Sequence, residues 1–186
     1  MAKVKGAMQP IRDLHTLKEM KEWLIRNKSY KYYMMFQVGI NTGLRVSDLL
    51  NLKVRDIKGK DRIRIIMKKT KKEVTVRINV DLQRELLEYI RGKKDTDYLF
   101  PSRVGVNQPL TRQAVSLVLK EAAEFCQLDR INTHTMRKTF GYWFYKRTKD
   151  VYYLMMIFGH ENQGITKRYI GIEEDEIMDS MEGFSL

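Results

Sequence analysis

Residues 62–80 read RIRIIMKKTKKEVTVRINV, and the change of period inside this stretch decides the fold class. RIRIIM (62–67) and EVTVRINV (73–80) are β-branched and partly alternating, and the cationic turn KKTKK joins them. Two such runs around a short polar turn predict an antiparallel hairpin. On both sides the pattern is helical. TLKEMKEWLIRN opens a first helix, with Thr16 and Glu19 spaced as a capping box. SYKYYMMFQVGINTG reads as a buried helix stopped by Gly43, and Ser47 is placed to cap a short helix, DLLNL. After the hairpin, DLQRELLEYIRG has Asp81 as cap and Gly92 as stop. A loop through DYLFPSRVGVNQP leads to LTRQAVSLVLKEAAEFCQL. HTMRKTFGYWFYKRT, DVYYLMMIFG and a short helix carrying Tyr169 follow. The expected fold is mainly α with a small antiparallel β-hairpin or meander inserted between helices, an α+β chain.

The 186 residues suffice for one sizeable core and are too few for two ordinary domains. Hydrophobic content of 43% with 31% charged residues excludes a disordered chain. The longest apolar runs, such as YYLMMIF (152–158), fall short of a bilayer span. The first residues, MAKVKGAMQPIRD, lack a signal-peptide core. One cysteine, Cys126, forms no internal disulfide and fits a reducing cytoplasm, and no Cys/His cluster has zinc spacing. The formal net charge is +12, and it is unevenly spread. Residues 171–186 hold six acids and no base, so residues 1–170 carry 35 bases against 17 acids, a net of +18. A body this basic is matched to a polyanion, with nucleic acid first.

Four stretches hold residues able to do chemistry. In NTGLRVSDLL (41–50), Arg45 sits on a rigid corner between two helices, where its planar fork suits two phosphate oxygens. A helix-end pair with Asp48 is the simpler alternative. HTMRKTF (134–140) puts His134 and Arg137 on one face near a helix N-terminus, which favours anions. The hairpin tip concentrates Lys68, Lys69, Lys71 and Lys72. Most such lysines are a solvated charge run, but one could reach a leaving oxygen as proton donor. In FGHENQGITKRYI (158–170), His160 precedes Tyr169 by nine residues, and Lys167 and Arg168 immediately precede the tyrosine. A tyrosine hydroxyl attacks phosphorus only where cations and donors stabilise the charge that develops. Together these groups supply a metal-free phosphodiester transesterification, and no carboxylate pair at metal-binding spacing accompanies them.

In this order the motifs resemble those of the tyrosine recombinases, the phage integrase family with its Xer-type members. TGLRVSDLL resembles the first arginine box, HTMRKTF the H-x-x-R box, and FGHENQGITKRYI the terminal Gly-His-to-tyrosine box with the Xer-like spacing. KKTKKEVTV stands where the family has its hairpin lysine, which aligns with Lys69. The resemblance covers essentially the whole chain and implies a single catalytic domain over residues 1–186. It implies that Arg45 and Arg137 clamp the scissile phosphate, while His134 and His160 support the transition state and proton movement. Lys69 would protonate the leaving 5′-oxygen, and Tyr169 would form a 3′-phosphotyrosyl bond to DNA without a cofactor or metal. Lys68, Lys71 and Lys72 compete with Lys69 for the acid role.

The same resemblance implies double-stranded DNA as partner. It also implies a homo-oligomer on DNA, a tetramer in the synapse that passes through a Holliday junction, with an accessory protein as a further partner. The acidic, amphipathic C-terminal helix (171–186) would grip a neighbouring protomer. Thr111, Arg112 and Gln113 head a helix similar to the family's major-groove helix, although Thr111 also reads as an ordinary cap. Lys71, Lys72, Lys138, Lys167 and Arg168 are further candidate DNA contacts. No N-terminal clamp domain is expected, since only about forty residues precede Arg45. The expected setting is cytoplasmic, on the nucleoid of a bacterial host, with the gene bacterial or phage-encoded. Two other readings stay open: a noncatalytic DNA-binding accessory protein of this fold, and a type IB-like topoisomerase.

Overall fold

The computed structural model describes residues 8–185. Its elements run α1 (Leu14–Asn27), α2 (Tyr30–Thr42), α3 (Val46–Leu49), a 3-10 turn (Val54–Asp56), β1 (Arg62–Ile66), β2 (Glu73–Arg77) and α4 (Val80–Tyr89). There follow α5 (Arg112–Phe125), α6 (Thr133–Thr148), α7 (Val151–Phe158), α8 (Gln163–Ile170) and α9 (Glu173–Met181). The chain is thus mainly α with one two-stranded antiparallel sheet among the described residues, as the period change indicates. The strands pair from Arg62↔Arg77 to Ile66↔Glu73. That register buries Ile63, Val74 and Val76 on one face and leaves Arg62, Arg64, Thr75 and Arg77 in solvent.

Several caps differ from the expected residues. Asp13, not Thr16, caps α1: its carboxylate accepts from the Thr16 backbone N–H at 2.6 Å and from the Thr16 hydroxyl at 2.7 Å. A carboxylate is the stronger acceptor, and it draws the helix start three residues earlier. Asn79, not Asp81, caps α4 through Leu82 N–H at 2.9 Å, which also ends the second strand at Arg77 rather than residue 80. The short helix α3 starts at Val46 with Arg45 at its cap position and no side-chain cap, so Ser47 lies inside it. Gly92 lies in the turn beyond α4, whose last residue is Tyr89. Gly43 does end α2, at φ 65°, a conformation that favours glycine.

Two apolar cores result. The larger gathers α1 to α5, the sheet and Met136 of α6, around Met20, Leu24, Phe36, Leu49, Phe100 and Leu119. The smaller joins α6, α7 and α8 through Tyr142, Tyr145, Leu154, Ile157, Phe158 and Ile170. Helix α6 belongs to both, so it is the beam on which the C-terminal helices sit. No helix among the described residues is long and apolar enough to cross a membrane.

Gly141 sets the spacing between α6 and its neighbours. A Cβ there would lie 2.5 Å from Ile170 Cγ2 and 2.9 Å from the Phe158 ring. Gly141 is one turn beyond Arg137, and Ile170 adjoins Tyr169, so this contact also fixes how near the tyrosine approaches the arginine. Gly141→Ala is predicted to destabilise the protein by ~1–3 kcal/mol through overpacking. That runs against the ~1 kcal/mol that alanine normally gains over glycine inside a helix. Urea titration of the two proteins decides the sign, and a more stable variant would refute the close approach.

Candidate active site

The site forms where three chain reversals meet. The first is the corner after α2. Arg45 there points one Nη at the Met67 sulfur (2.9 Å) and the other at the Phe158 carbonyl oxygen (3.0 Å). The second is the start of α6. Asn132 closes a capping box, accepting from His134 N–H at 2.7 Å while its own N–H donates to the Thr135 hydroxyl at 3.2 Å. One turn on, Arg137 is 3% exposed. It donates to the Gly43 carbonyl at 2.7 Å and to the Phe158 carbonyl at 3.0 Å. The third is the end of α7, where Gly159 at φ 62° turns the chain so that His160 re-enters the site.

Phe158 is therefore the hub. Its carbonyl accepts from both guanidinium groups, and its ring lies 4.2 Å from the Arg137 guanidinium. The same ring meets His160 and Tyr169 edge-on, at centroid distances of 5.5 and 5.4 Å, and those two rings are 5.1 Å apart. The carbonyls of Gly43 and Phe158 lie at helix C-termini, where the backbone carries partial negative charge. Among the described residues neither arginine forms an ion pair with a carboxylate. Asp48, the alternative partner for Arg45, is buried and accepts instead from Lys68 N–H at 3.0 Å, which ties the hairpin turn to α3.

Two cations held this close, half neutralised by carbonyls, make a seat for an anion, and the ionisable groups report it. Burial first, and then repulsion from Arg45, lowers the Arg137 pKa to about 10, so it stays charged at neutral pH. Burial and then the charges of Arg137 and Arg45 push His160 down to about 4, so its imidazole is neutral. His134 is also lowered, first by lost hydration and then by Arg112, Arg137, Lys138 and Arg45. Burial raises the Tyr169 hydroxyl, while Arg137 and Arg45 pull the other way. The phenol is protonated in the free protein and needs a proton acceptor before it can attack.

The six residues singled out for chemistry are placed as follows. Arg45, Arg137, His160 and Tyr169 surround Phe158, and His134 sits one turn before Arg137 at the exposed end of α6. Lys69 is exposed at the hairpin tip. That tip is anchored beside the site, because Met67 meets Arg45 and Thr70 lies 3.6 Å from where a Gly159 side chain would begin. Among the DNA candidates, Lys138 stands 5.0 Å over the Tyr169 ring. Thr111 caps α5 by accepting from Ala114 N–H at 3.1 Å, and Arg112 and Gln113 are exposed in its first turn. Lys71, at φ 58°, and Lys72 are exposed on the hairpin, as is Arg168 on α8. Lys167 is engaged by Glu176 of α9 at 2.8 Å. Sequence reading overlooked Phe158 and the position of Asp48. The only signal for Phe158 was Gly159, which marks a helix end and so a set of free carbonyls.

Comparison with known proteins identifies the family. Residues 13–176 match the model of the phage integrase family. The chain is 45% identical over 168 residues to the probable integrase/recombinase YoeC of Bacillus subtilis, covering 90% of this chain and 92% of that one. It is 30% identical over 158 residues to a tyrosine recombinase of Pseudothermotoga lettingae, covering 83% of this chain and 54% of the relative. The crystal structure of XerA recombinase superposes with a TM-score of 0.75 at 20% identity, over 94% of this chain and 65% of that one. A lambda integrase dimer bound to a core site gives 0.71 at 16% identity, over 93% and 62%. The chain belongs to the phage integrase family: it is a tyrosine recombinase catalytic domain, of the site-specific DNA recombinase class.

The His160 environment has a consequence for stability. Its folded pKa, about 4, lies below the ordinary 6.5, so the unfolded chain takes up a proton that the fold refuses. Stability is then lost as pH falls from about 6.5 toward about 4, and His160→Gln removes that loss. Urea midpoints at about pH 7 and pH 5 should fall more for the wild type than for the variant. Equal falls would show that His160 is not held neutral.

Proposed function

We propose that this chain cuts and rejoins DNA at a specific site through a covalent bond between Tyr169 and a 3′-phosphate. The observation that supports it is the pair of guanidinium groups converging on one carbonyl beside a half-buried tyrosine. Arg45 and Arg137 take the two nonbridging oxygens of the scissile phosphate, where charge grows as phosphorus becomes pentacoordinate. The Tyr169 oxygen bonds to phosphorus, and its proton passes to an imidazole of the site. The bond to the 5′-oxygen breaks, and Lys69 supplies that oxygen with a proton. Each bond broken is replaced by one formed, so the 5′-hydroxyl of another strand can run the sequence backwards with no external energy source.

The DNA lies over the basic face that these elements share. Arg112 and Gln113 at the exposed N-terminus of α5 face the bases, and Lys71, Lys72, Lys138 and Arg168 contact backbone phosphates. Structural neighbours were solved on DNA, among them XerH in a post-cleavage complex with its difH substrate and the lambda integrase dimer. The tail serves assembly. Helix α9 is docked on its own chain by Arg12–Asp175 (2.7 Å) and Lys167–Glu176 (2.8 Å), and Glu176 also accepts from the Tyr145 hydroxyl. Its Ile177, Met178 and Met181 stay exposed. Ion pairs of this accessibility hold a helix by only ~0–1 kcal/mol each, so α9 can be exchanged for contact with a second copy on DNA. Residues 1–186 act as one catalytic domain.

A nicked suicide DNA carrying the element's own recombination site tests the reading on a denaturing gel. The wild type is expected to form a covalent adduct and Tyr169→Phe none. Arg45→Ala and Arg137→Ala should each lose ~10²–10³-fold in cleavage, as for removal of one oxyanion donor, and far less in DNA affinity. An adduct that survives Tyr169→Phe, or equal losses in rate and binding, would contradict it.

A further inference from the structure

Met67 follows β1 at the foot of the hairpin turn and is 1% exposed. Its backbone closes that turn: its N–H donates to the Lys72 carbonyl at 2.9 Å, and its carbonyl accepts from Lys71 N–H at 2.9 Å. Its side chain turns inward to the site. The sulfur accepts from one Nη of Arg45 at 2.9 Å, while the other Nη donates to the Phe158 carbonyl at 3.0 Å. The thioether methyl lies 3.5 Å from where a Gly159 side chain would begin. One methionine thus touches the corner bearing Arg45, the turn bearing Lys69 and the end of α7. The kind of acceptor matters here. A thioether sulfur is neutral and a weak acceptor, so it orients the guanidinium and leaves its charge whole. A carboxylate would hold the group more firmly and would cancel the charge that a phosphate is to meet. Asp48 lies one turn from Arg45 on α3, yet its carboxylate is turned to Lys68 N–H at 3.0 Å.

We propose that Met67 is the positioning residue of Arg45: its sulfur fixes the plane of the guanidinium at the phosphate seat without neutralising it, and ties that plane to the hairpin turn. The inference rests on the phosphate-binding role proposed for Arg45 and adds the group that aims it. A guanidinium is a planar fork on a flexible stem. Held by the Phe158 carbonyl alone, it could swing about that one hydrogen bond. Two acceptors from different elements, one on each Nη, fix its plane. The unbranched, polarisable side chain of methionine also suits the irregular gap beneath Gly159. Leucine would fill a similar volume and offer no lone pair. Because Met67 and Lys69 share one turn, the leaving-group lysine and the phosphate-binding arginine take their places from the same short stretch of backbone. A misplacement of about 1 Å in such a site can cost on the order of a hundredfold in rate, so a weak bond that sets an angle has a large effect on the reaction.

A double-mutant cycle on the suicide substrate separates aiming from packing. Met67→Leu conserves volume, a change that cores tolerate well. It is expected to slow adduct formation about tenfold, a fraction of what loss of one donor to the oxyanion costs, with DNA affinity unchanged. In the Arg45→Ala background the same substitution should cost nothing further, because there is no guanidinium left to aim. Met67→Gln, which puts an acceptor back on a side chain of similar length, should recover most of the loss. Nitrogen NMR of the arginine side chains in the free protein supplies an independent reading. Arg45 should show two distinct Nη signals in the wild type, and these should exchange faster in Met67→Leu. A Met67→Leu protein with the wild-type rate would overturn the proposal, as would an equal loss in both backgrounds, which would reduce Met67 to a filler of the core. If Met67→Leu fails to fold, the wild-type spectrum decides: a freely rotating Arg45 guanidinium overturns the proposal, and a restrained one supports it. A wild type that forms no adduct refutes the reaction itself, and the spectrum then judges the Arg45–Met67 contact separately.

Discussion

Two guanidinium groups end on one carbonyl oxygen, and the rest of the site depends on that convergence. Arg45 comes from the corner after α2, Arg137 from α6, and the Phe158 carbonyl from the end of α7. Each partner alone is unfavourable: the buried Arg137 and the half-buried Arg45 repel each other, and a helix C-terminus leaves carbonyls without donors. Together they offset each other, and the residual positive charge faces the tyrosine. The carbonyl can play this part only because Gly159 turns the chain out of the helix immediately after it, and only because Gly141 lets α7 and α8 close onto α6. The glycines shape the distances, and the arginines supply the charge.

The same convergence bears on the state of Tyr169 in the free protein. Its side chain is half-buried, burial raises its pKa, and the adjoining His160 imidazole is held neutral. An arriving phosphate would neutralise part of the guanidinium charge. That would raise the proton affinity of His160. Helix α9 adds a mechanical link. It is joined to α8 through Gly171 and held by Glu176 to Lys167, two residues before Tyr169, and to Tyr145 of α6. A tail that changes partners on DNA would act directly on the helix carrying Tyr169.

Much of this was legible in the sequence, and what was not has a physical reason. The change from period 3.6 to period 2 at residue 62 placed the hairpin, because side-chain spacing reports directly which face is buried. Caps were less legible. Asp13 competes with Thr16, and Asn79 with Asp81, and only the three-dimensional reach of each oxygen decides between them. Arg45, Arg137, His160 and Tyr169 stood out by residue type and order. Phe158 did not, since its part is played by a backbone oxygen and by a ring that looks like any core aromatic. Lys167 adjoins the tyrosine in sequence, yet its ammonium is turned to Glu176, a partner that the primary order does not suggest.

The central claim is that the two arginines exist to meet the charge on the nonbridging oxygens of one phosphate. The most direct measurement compares cleavage of two suicide DNAs, one normal and one with a neutral methylphosphonate at the scissile position, by wild type and Arg45→Ala. If the claim holds, the loss caused by Arg45→Ala is large on the charged phosphate and much smaller on the neutral one, because the missing cation no longer has a charge to match. The same fold-loss on both substrates would contradict it and return Arg45 to the role of a structural tie between α2 and α7.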